Sequence, residues 1–338
     1  MSIGSGRTTL ASVAASAGVS VATVSKVLNG RRDVAPATRS LVESLLREHG
    51  YVPRSSRRER AEASATVEMW VDELCAYSTE IIKGTIEAGS ESGVAVVVTN
   101  SPTVTGSATS WARDLVAAGR RAMITLTSGP TSIQLAALSK ARLPVVVIDP
   151  LNLPETSATS VGSTNFAGGL AAAKHLLGLG HRRIAYLGGP ATSSTNQARM
   201  HGYRAAMEAA GVPVLPEYVR AEGFCYPHGV KAGAALLDLH PAPTAIFAAG
   251  DESALGAIQA ARARGLRIPE DLSVVGFDDT ELATMTSPQL TTVRQPLREM
   301  GAVALRTSLR LAAGEKVEYR HVELATELVV RGSTLAAV

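Results

Sequence analysis

Residues 9–29 read TLASVAASAGVSVATVSKVLN, and this stretch decides how the N-terminal end of the chain folds. Leu10, Val13 and Ala14 are spaced to share one face of a helix. Gly18 suits the left-handed conformation that ends a helix, and Ser20 is a favoured N-cap for the next one. The spacing therefore predicts two short helices joined by a tight turn, which is the layout of a helix-turn-helix. In the second helix we expect an inward and an outward set, with Val24, Val27 and Leu28 facing the core and Val21, Ala22, Ser25, Lys26 and Asn29 facing outward.

A third apolar pattern follows, carried by Leu41, Val42, Leu45 and Leu46. It predicts a helix that begins at Thr38-Arg39 and stops at Gly50. Ala35 stands where a capping Ser is more usual, which weakens the cap by ~1 kcal/mol. Tyr51-Val52-Pro53 closes this unit, so the first predicted domain is residues 1–53.

Basic charge is concentrated at this end of the chain. Residues 1–66 contain ten Arg or Lys and five Asp or Glu, whereas the remaining chain contains 23 basic and 25 acidic residues. A basic arm on a near-neutral body is the electrostatic pattern of a protein that binds phosphates with one end. The alternatives are a solvated basic tail and a three-helix bundle with no role on DNA.

From residue 67 onward, strand-sized apolar runs alternate with segments of helix length. This alternation is typical of parallel βαβ units. The pattern restarts near residue 180, so we expect two similar lobes with a ligand cleft at the carboxyl ends of their strands. The predicted strands are residues 67–71, 94–98, 122–126, 145–148, 184–187, 244–248 and 273–276.

Residues 8–53 resemble the headpiece of the LacI/GalR family of repressors. The resemblance rests on AGVS at 17–20, TVSKVLNG at 23–30 and GYVP at 50–53. It implies that Val21, Ala22 and Lys26 read bases. Lys26 is suited to donate to guanine O6 and N7, and Val21 and Ala22 are suited to pack on thymine methyl groups. The other DNA-binding residues that it implies, mainly phosphate contacts, are Thr9, Ser20, Thr23, Ser25 and Asn29.

Residues 54–66 form a polar, arginine-rich linker. In the resembled family this segment becomes a hinge helix on DNA, and its leucine wedges open the minor groove. Here Arg54, Arg57 and Arg60 stand where the family has Asn, Ala and that Leu. Arginine enters a narrow minor groove but is a poorer apolar wedge. We expect a disordered linker off DNA, and minor-groove or phosphate contacts from Arg54, Arg57, Arg58 and Arg60 on DNA.

The body, residues 67–338, also resembles this family and the related periplasmic sugar-binding proteins. The strongest motifs are HLLGLGHRRIA at 175–185, AGDESALG at 249–256 and IPEDLSVVGFDD at 268–279. The resemblance implies one lobe of about residues 67–162 with 292–322 and a second of about 163–291 with 323–338. It implies effector contacts at Tyr77, Asp149, Phe166, Arg199, Phe224, Asp251 and Gln295. A strand-end Asp that caps a helix, or a Phe that belongs to the core, is the alternative at those positions.

Catalytic interpretations have little support in the sequence. The seven histidines show no metal-ligand spacing, Gly188-Gly189-Pro190 lacks the spacing of a dinucleotide loop, and no P-loop appears. Asp278 and Asp279 are adjacent, so on a strand they would point oppositely, and we predict a structural turn there. We therefore predict no enzyme activity, no cofactor and no metal. A transport-type sugar-binding protein would explain the body but not the basic helix-turn-helix.

The expected fold class is α/β, with an N-terminal three-helix helix-turn-helix headpiece and a two-lobed, parallel-sheet body like that of periplasmic binding proteins. The expected function is a sequence-specific transcriptional regulator, a repressor, bound to near-palindromic operator DNA and controlled by a small effector. The polar Asp, Arg and Gln set favours a sugar as that effector. No leucine heptads follow residue 334, which favours a homodimer. The isolated Cys75 and Cys225, and the lack of a signal-like or membrane-spanning stretch, indicate a soluble cytoplasmic protein.

Overall fold

The computed structural model describes residues 10–28, 31, 34–48, 65–100, 106–150 and 159–337. The chain forms two compact units, an N-terminal unit of Met1–Ala65 and a body of Thr66–Val338. The described residues of the N-terminal unit are largely helical, and those of the body alternate between strands and helices. This matches the predicted fold class.

The N-terminal unit contains α1 (Leu10–Ala17), α2 (Val21–Leu28) and α3 (Pro36–Glu48). Between α1 and α2, Gly18 has φ +64°. Its N–H donates to the Ala15 carbonyl at 3.3 Å, and the Val19 N–H donates to the Ala14 carbonyl at 3.1 Å. These two bonds form a Schellman turn, in which a residue without Cβ is favoured at the left-handed position. The turn sets α1 and α2 at 105°, as in helix-turn-helix pairs.

The core of the N-terminal unit joins all three helices. Val13 of α1, Val24 of α2 and Val42 of α3 are completely buried. Helix α3 begins at Pro36, two residues before the predicted start. Proline is favoured at the first helical position because its missing N–H is not needed there. The N–H of Arg39 donates to the Ala35 carbonyl at 3.0 Å, so Ala35 does precede the helix.

The body has two lobes, each built on a six-stranded sheet. The sheet of lobe 1 has the order β11-β5-β4-β3-β1-β2, and all of its strand pairs are parallel. Strand β4 reads VVVI and is nearly all buried, as expected for a parallel strand covered on both faces. Lobe 1 comprises β1 (Thr66–Val71), α4 (Ala76–Glu91), β2 (Ala95–Asn100), α5 (Ala108–Ala117), β3 (Arg120–Leu126), α6 (Ser132–Lys140), β4 (Val145–Ile148), β5 (Thr159–Ser163), α12 (Leu297–Ala312) and β11 (His321–Leu324).

The sheet of lobe 2 has the matching order β12-β10-β9-β8-β6-β7. Its strand pairs are parallel except for β12, which runs antiparallel to β10. Its core includes a cluster of buried aromatic rings, formed by Tyr186 and Phe247 of the sheet and Tyr203 of a covering helix. Lobe 2 comprises α7 (Asn165–Gly178), β6 (Ile184–Gly188), α8 (Ser194–Ala209), β7 (Val219–Ala221), α9 (Tyr226–Leu237), β8 (Ala245–Ala248), α10 (Asp251–Arg262), β9 (Ser273–Asp278), α11 (Glu281–Met285), β10 (Thr291–Arg294) and β12 (Glu327–Val329).

The chain crosses between the lobes three times, after β5, after β10 and after β11. Side chains tie these crossings together. The Ser163 hydroxyl donates to Gln295 Oε1 at 2.5 Å, and the Thr326 N–H donates to the Thr164 hydroxyl at 2.9 Å. The second crossing follows Arg294, slightly later than the approximate lobe boundary at 292, because β10 pairs with β9 up to that residue. The third follows Leu324, slightly later than the boundary at 323, because β11 pairs with β5 up to that residue.

Each of the seven predicted strands coincides with an observed strand, but five short strands were not predicted. Strand β5 reads TSVGS and is fully buried despite its polar composition. Its hydroxyls are satisfied by distant side chains, such as His321 Nδ1 at 2.8 Å from the Ser160 hydroxyl. The other unpredicted strands are β7, β10, β11 and β12.

Within the described residues, no single helix is long and apolar enough to cross a membrane. Helices α1 and α2 reach the necessary length and hydropathy only as a pair with a 105° bend. The described His, Cys, Asp and Glu side chains form no group of three that could hold a metal ion.

Candidate functional site

Helix α2 presents the residues that the sequence predicts to read DNA. Ser20 caps the helix: its hydroxyl accepts the Thr23 N–H at 3.1 Å and lies 2.9 Å from the Thr23 hydroxyl. Val21 is 46% exposed, and Ala22 and Lys26 are also exposed. A large apolar side chain on the surface beside a lysine suits a base edge with a methyl group. Thr23 and Ser25 are partly buried. Of the remaining predicted DNA contacts, Thr9, Asn29, Arg54, Arg57, Arg58 and Arg60 lie outside the described residues.

A cavity of about 300 Å³ lies between the two lobes. Loops after β1 and β3 line it from lobe 1, and loops after β6 and β8 line it from lobe 2. These are the points where each sheet order reverses, which is where ligands bind in open α/β sheets. The volume is at the lower end of the ~300–1,000 Å³ typical of small-molecule sites.

Arg199 of α8 lines this cavity and is held in place by its neighbours. Its Nε–H donates to Asn165 Oδ1 at 2.7 Å, and its Nη1 donates to the Ala249 carbonyl at 2.6 Å. The guanidinium carbon lies 3.8 Å from the centroid of the Phe277 ring and 5.7 Å from that of Phe224. The Arg side chain is therefore fixed by hydrogen bonds and cation–π contacts while it still lines the cavity.

Gly169 of α7 makes this position of Arg199 possible. A Cβ at Gly169 would lie 2.2 Å from the Arg199 carbonyl oxygen, so only glycine allows α7 and α8 to approach this closely. The close approach places Asn165, at the start of α7, within hydrogen-bonding distance of the guanidinium.

On the lobe 1 side, Asp149 follows β4 and has φ +45°. Its Oδ2 accepts a 2.5 Å hydrogen bond from the Tyr77 hydroxyl of α4. Burial raises the pKa of Asp149, and the Tyr77 hydrogen bond and the charge of Arg199 oppose that rise. Burial, followed by the charge of Asp149, raises the pKa of Tyr77 well above its usual value. The hydrogen bond between them fixes both side chains at the cavity wall.

Two buried carboxylates line the cavity from lobe 2. Asp251 accepts three hydrogen bonds, from the Thr280 N–H at 2.8 Å, the Thr280 hydroxyl at 3.0 Å and the Thr292 hydroxyl at 2.6 Å. Burial, with repulsion from Asp278, raises the pKa of Asp251 to about 8. Because its oxygens are already bonded within the protein, the geometry gives Asp251 a role in holding the loops after β8 and β9 together.

Asp278, at the end of β9, is the lobe 2 carboxylate that faces Arg199. Its Oδ1 is 3.7 Å from Arg199 Nη1 and accepts a 2.6 Å hydrogen bond from Gln295 Nε2. Burial raises its pKa to about 7, although the charge of Arg199 opposes the rise. The sequence predicts a structural turn at Asp278 and Asp279, whereas in the structure Asp278 is the last residue of β9, has φ +110° and lines the cavity, so it is a site residue that the sequence prediction did not include. Its place at the end of a buried strand was the available signal.

Five of the seven predicted effector contacts line the cavity: Tyr77, Asp149, Arg199, Phe224 and Asp251. Phe166 and Gln295 do not belong to the described lining. Phe166 is 48% exposed on α7, because the turn of the helix that carries Asn165 inward carries its neighbour outward. Gln295 is buried and joins Ser163 to Asp278 instead. The lining also includes residues that the sequence did not predict as effector contacts, among them Asp72, Glu73, Cys75, Ser193, Thr195, Cys225 and Glu252.

Comparison with known proteins finds two family models along the chain. Residues 9–54 match the model described as bacterial regulatory proteins, lacI family. Residues 173–334 match a periplasmic binding protein-like domain. The first match covers the helix-turn-helix, and the second covers most of lobe 2 and the last two crossings.

Similar proteins extend over almost the whole chain. The transcriptional regulator DegA of Bacillus subtilis (strain 168) is 35% identical over 97% of this chain and 98% of its own length. A solved complex of the transcriptional regulator CelR with cellobiose is 34% identical, covers 97% of this chain and 100% of the solved one, and has a TM-score of 0.72. The solved lac repressor dimer bound to operator and the anti-inducer ONPF is 28% identical, covers 98% of this chain and 100% of the solved one, and has a TM-score of 0.74.

Proposed function

The chain belongs to the LacI family of bacterial regulatory proteins, and we propose that it represses transcription from an operator whose binding is controlled by a sugar in the interlobe cavity. Members of this family are DNA-binding transcriptional regulators. The observation that carries the proposal is the pairing, in one chain, of a capped helix-turn-helix at 105° with a two-lobed body that holds a cavity at its sheet switch points.

On the DNA side, we assign base reading to Val21, Ala22 and Lys26 because they are exposed on α2. The major groove admits an α-helix, and the early residues of that helix reach the base edges. Ser20, Thr23 and Ser25 are assigned to phosphates, together with Thr9 and Asn29. The arginines of the linker, Arg54, Arg57, Arg58 and Arg60, are assigned to the minor groove or the flanking phosphates.

On the effector side, the cavity offers what a sugar requires. Arg199, Asp149 and Asp278 provide charged donors and acceptors for hydroxyl groups, and Tyr77 and Phe224 provide aromatic faces for the C–H side of a ring. The CelR relative was solved with cellobiose, which supports a sugar for this chain as well. A ligand that contacts both lobes favours one degree of closure, and that preference is what alters DNA affinity.

We further propose that the protein acts as a homodimer on a near-palindromic operator in the cytoplasm. The lac repressor relative was solved as a dimer on operator DNA. A dimer places two α2 helices about one DNA turn apart, so the symmetry of the operator follows that of the protein. Light scattering tests this part, because a mass of one or four chains would contradict it.

Fluorescence anisotropy tests the DNA-binding part of the proposal. Labelled duplexes selected from a random pool by the full-length protein are titrated at several salt concentrations. We expect affinity to fall steeply with salt, because each phosphate contact releases counterions. Lys26→Ala should weaken binding by roughly 1–3 kcal/mol and relax preference at one base pair.

Lys174→Ala is the matched control, because Lys174 is an exposed lysine on α7 of the body. It should bind as tightly as the unmodified protein. Equal affinity of the two variants, or binding that is insensitive to salt, would contradict the proposal.

A further inference from the structure

The cavity between the lobes is lined by far more acidic than basic side chains. Six carboxylates belong to its described lining, and Arg199 is the one basic residue in that part of it. Both lobes contribute, so a ligand that closes the cleft meets acidic groups on each side. Lobe 1 supplies Asp72, Glu73 and Asp149, and lobe 2 supplies Asp251, Glu252 and Asp278.

The charge of Arg199 is already used by the protein. Asp278 lies 3.7 Å from its Nη1, and the Phe277 ring lies under the guanidinium. Two further bonds, to Asn165 and Ala249, fix its direction. One guanidinium shared in this way can donate to a hydroxyl, but it does not offset the charge of several buried carboxylates.

A helix N-terminus, which attracts anions, also faces the cavity but is occupied. The N–H of Ala76, at the first position of α4, donates to Glu252 Oε1 across the cleft at 3.0 Å. The carboxylate of lobe 2 therefore takes the place that a phosphate or carboxylate of a ligand would need.

From these observations we infer that the cavity selects its effector by charge: it takes a polyhydroxylated ligand that is neutral or carries an amine, and it excludes sugar phosphates and sugar acids. This inference rests on the proposed function for the identity of the site. An anionic group would enter a space where Asp149, Asp251 and Asp278 are buried. It would be repelled by those of the three that are ionised and would make their ionisation less favourable still, so this electrostatic cost would add to the cost of its own desolvation. Cellobiose, held by the CelR relative, is uncharged.

The chain contains its own probes of the charge in the cavity. Cys75 and Cys225 are its two cysteines, both line the cavity, and both are partly buried. We would modify the full-length protein with two methanethiosulfonate reagents of similar size, one carrying a trimethylammonium group and one a sulfonate. Each thiol loses a proton, forms a mixed disulfide and releases methanesulfinate. Cys75→Ser and Cys225→Ser assign each rate to one thiol.

The ratio of the two rates, divided by the same ratio for free cysteine, measures the potential at each thiol. We expect the cationic reagent to be favoured by about tenfold or more at low salt. The ratio should shrink in about 1 M salt, where the Debye length is ~3 Å. A ratio of one after division by the free-cysteine value, or a ratio that favours the sulfonate reagent, would overturn the inference.

Two substitutions show whether the cavity carboxylates cause the effect. Asp278→Asn and Glu252→Gln should each lower the ratio. Glu318→Gln removes an exposed carboxylate that does not line the cavity, and it should leave the ratio unchanged. Equal changes of the rate ratio in all three variants would show that the ratio reports the net charge of the whole protein surface, and this result would also overturn the inference.

A matched ligand series separates this inference from the proposed function. Glucose, glucosamine, glucuronate and glucose 6-phosphate are compared by their shift of the melting temperature, with Arg199→Ala as the control for binding in the cavity. Stabilisation by either anion that Arg199→Ala abolishes would overturn the charge inference while supporting a sugar effector. If none of the four stabilises the protein, the proposed effector class loses support, and the reagent ratio still decides the charge of the cavity.

Discussion

Replacing Asp278 with Asn should stabilise the free protein above neutral pH, although Asp278 lines the proposed effector site. Asp278 is 8% exposed, and its charge repels that of the buried Asp251. Asn keeps the shape of the side chain, tolerates the φ of +110°, and still accepts from Gln295 through its Oδ1. The substitution therefore removes mainly the charge.

The size of the effect follows from the pKa. Burial raises the pKa of Asp278 from 3.8 to about 7, and each pKa unit corresponds to ~1.4 kcal/mol. Keeping the ionised form folded at pH 8 thus costs on the order of 4 kcal/mol. Asp251 repels Asp278 and titrates with it, so part of this energy belongs to the pair. Asn also leaves Arg199 with a weaker partner, so we expect a net gain of roughly 1–3 kcal/mol.

The pH dependence gives the clearer signature. Because the folded pKa of Asp278 lies above the unfolded value, the folded protein binds more protons between these two values. The free energy of unfolding therefore falls as pH rises from about 4 to about 7, by up to ~1.4 kcal/mol per pH unit from this group. Asp278→Asn should remove that slope. The difference in free energy of unfolding between the variant and the unmodified protein should therefore increase with pH until about pH 7.

Urea denaturation from pH 5 to 8.5 measures the difference. Both tryptophans, Trp70 and Trp111, lie in the body with ring centroids 5.2 Å apart, so their fluorescence follows the unfolding of the body. The neighbouring Asp279→Asn is the matched control. It breaks ion pairs to Arg294 and Arg331, at 2.7 and 2.6 Å, and should destabilise the protein. The reasoning fails if Asp278→Asn keeps the slope of the unmodified protein, or is no more stable at pH 8.

Three further substitutions test contacts that position the two sites. Ser20→Ala removes the N-cap of α2 and should lower the free energy of unfolding of the N-terminal unit by ~1 kcal/mol, measured by circular dichroism melts. Ser16→Ala, at an exposed serine of α1, should not lower it. Equal effects of the two substitutions would contradict the capping role of Ser20. Gly169→Ala places a Cβ 2.2 Å from the backbone of α8 and should destabilise the body by about 1–3 kcal/mol or more in urea. Gly178→Ala, in open space on the same helix, should be neutral or stabilising, and the reverse order would refute the close-packing argument. Gln295→Leu removes the hydrogen bonds to Ser163 and Asp278, both buried. It should lower the free energy of unfolding of the body by roughly 1–3 kcal/mol for each lost bond in the same urea assay. An unchanged unfolding midpoint would contradict a stabilising link between the lobes at Gln295.

The fold was predictable where the pattern of residues depends on local contacts. Gly18 and Ser20 specify the turn and the cap within a few residues of themselves, and the structure confirms both. Apolar runs such as residues 145–148 became buried strands. Strand β5 was missed because its Thr and Ser residues read as a loop, and only pairing with β4 and β11 satisfies their polar groups.

The site was predictable in its general location but not in the partners of each side chain. Asp251 follows a strand, and the sequence favoured it as an effector contact. Its oxygens are taken by Thr280 and Thr292, which lie 29 and 41 residues further along the chain. Gln295 is an expected effector contact only by resemblance to the family, and the structure shows that it links Ser163 to Asp278. Pairings at such separations depend on the register of the whole sheet, which no local pattern contains.

The unfavourable burial of Asp278 bears on how an effector acts. A hydroxyl that donates to the ionised carboxylate lowers its pKa and recovers part of the burial energy, so binding and deprotonation are coupled. This energy changes lobe closure only if the ligand contacts the two closure states differently. Asp149 and Tyr77 belong to lobe 1 and Asp278 to lobe 2, so a ligand that bridges them makes its full set of contacts in one degree of closure. Gln295 joins Asp278 to Ser163 at the first crossing, so a change at this carboxylate reaches the segments that connect the two lobes.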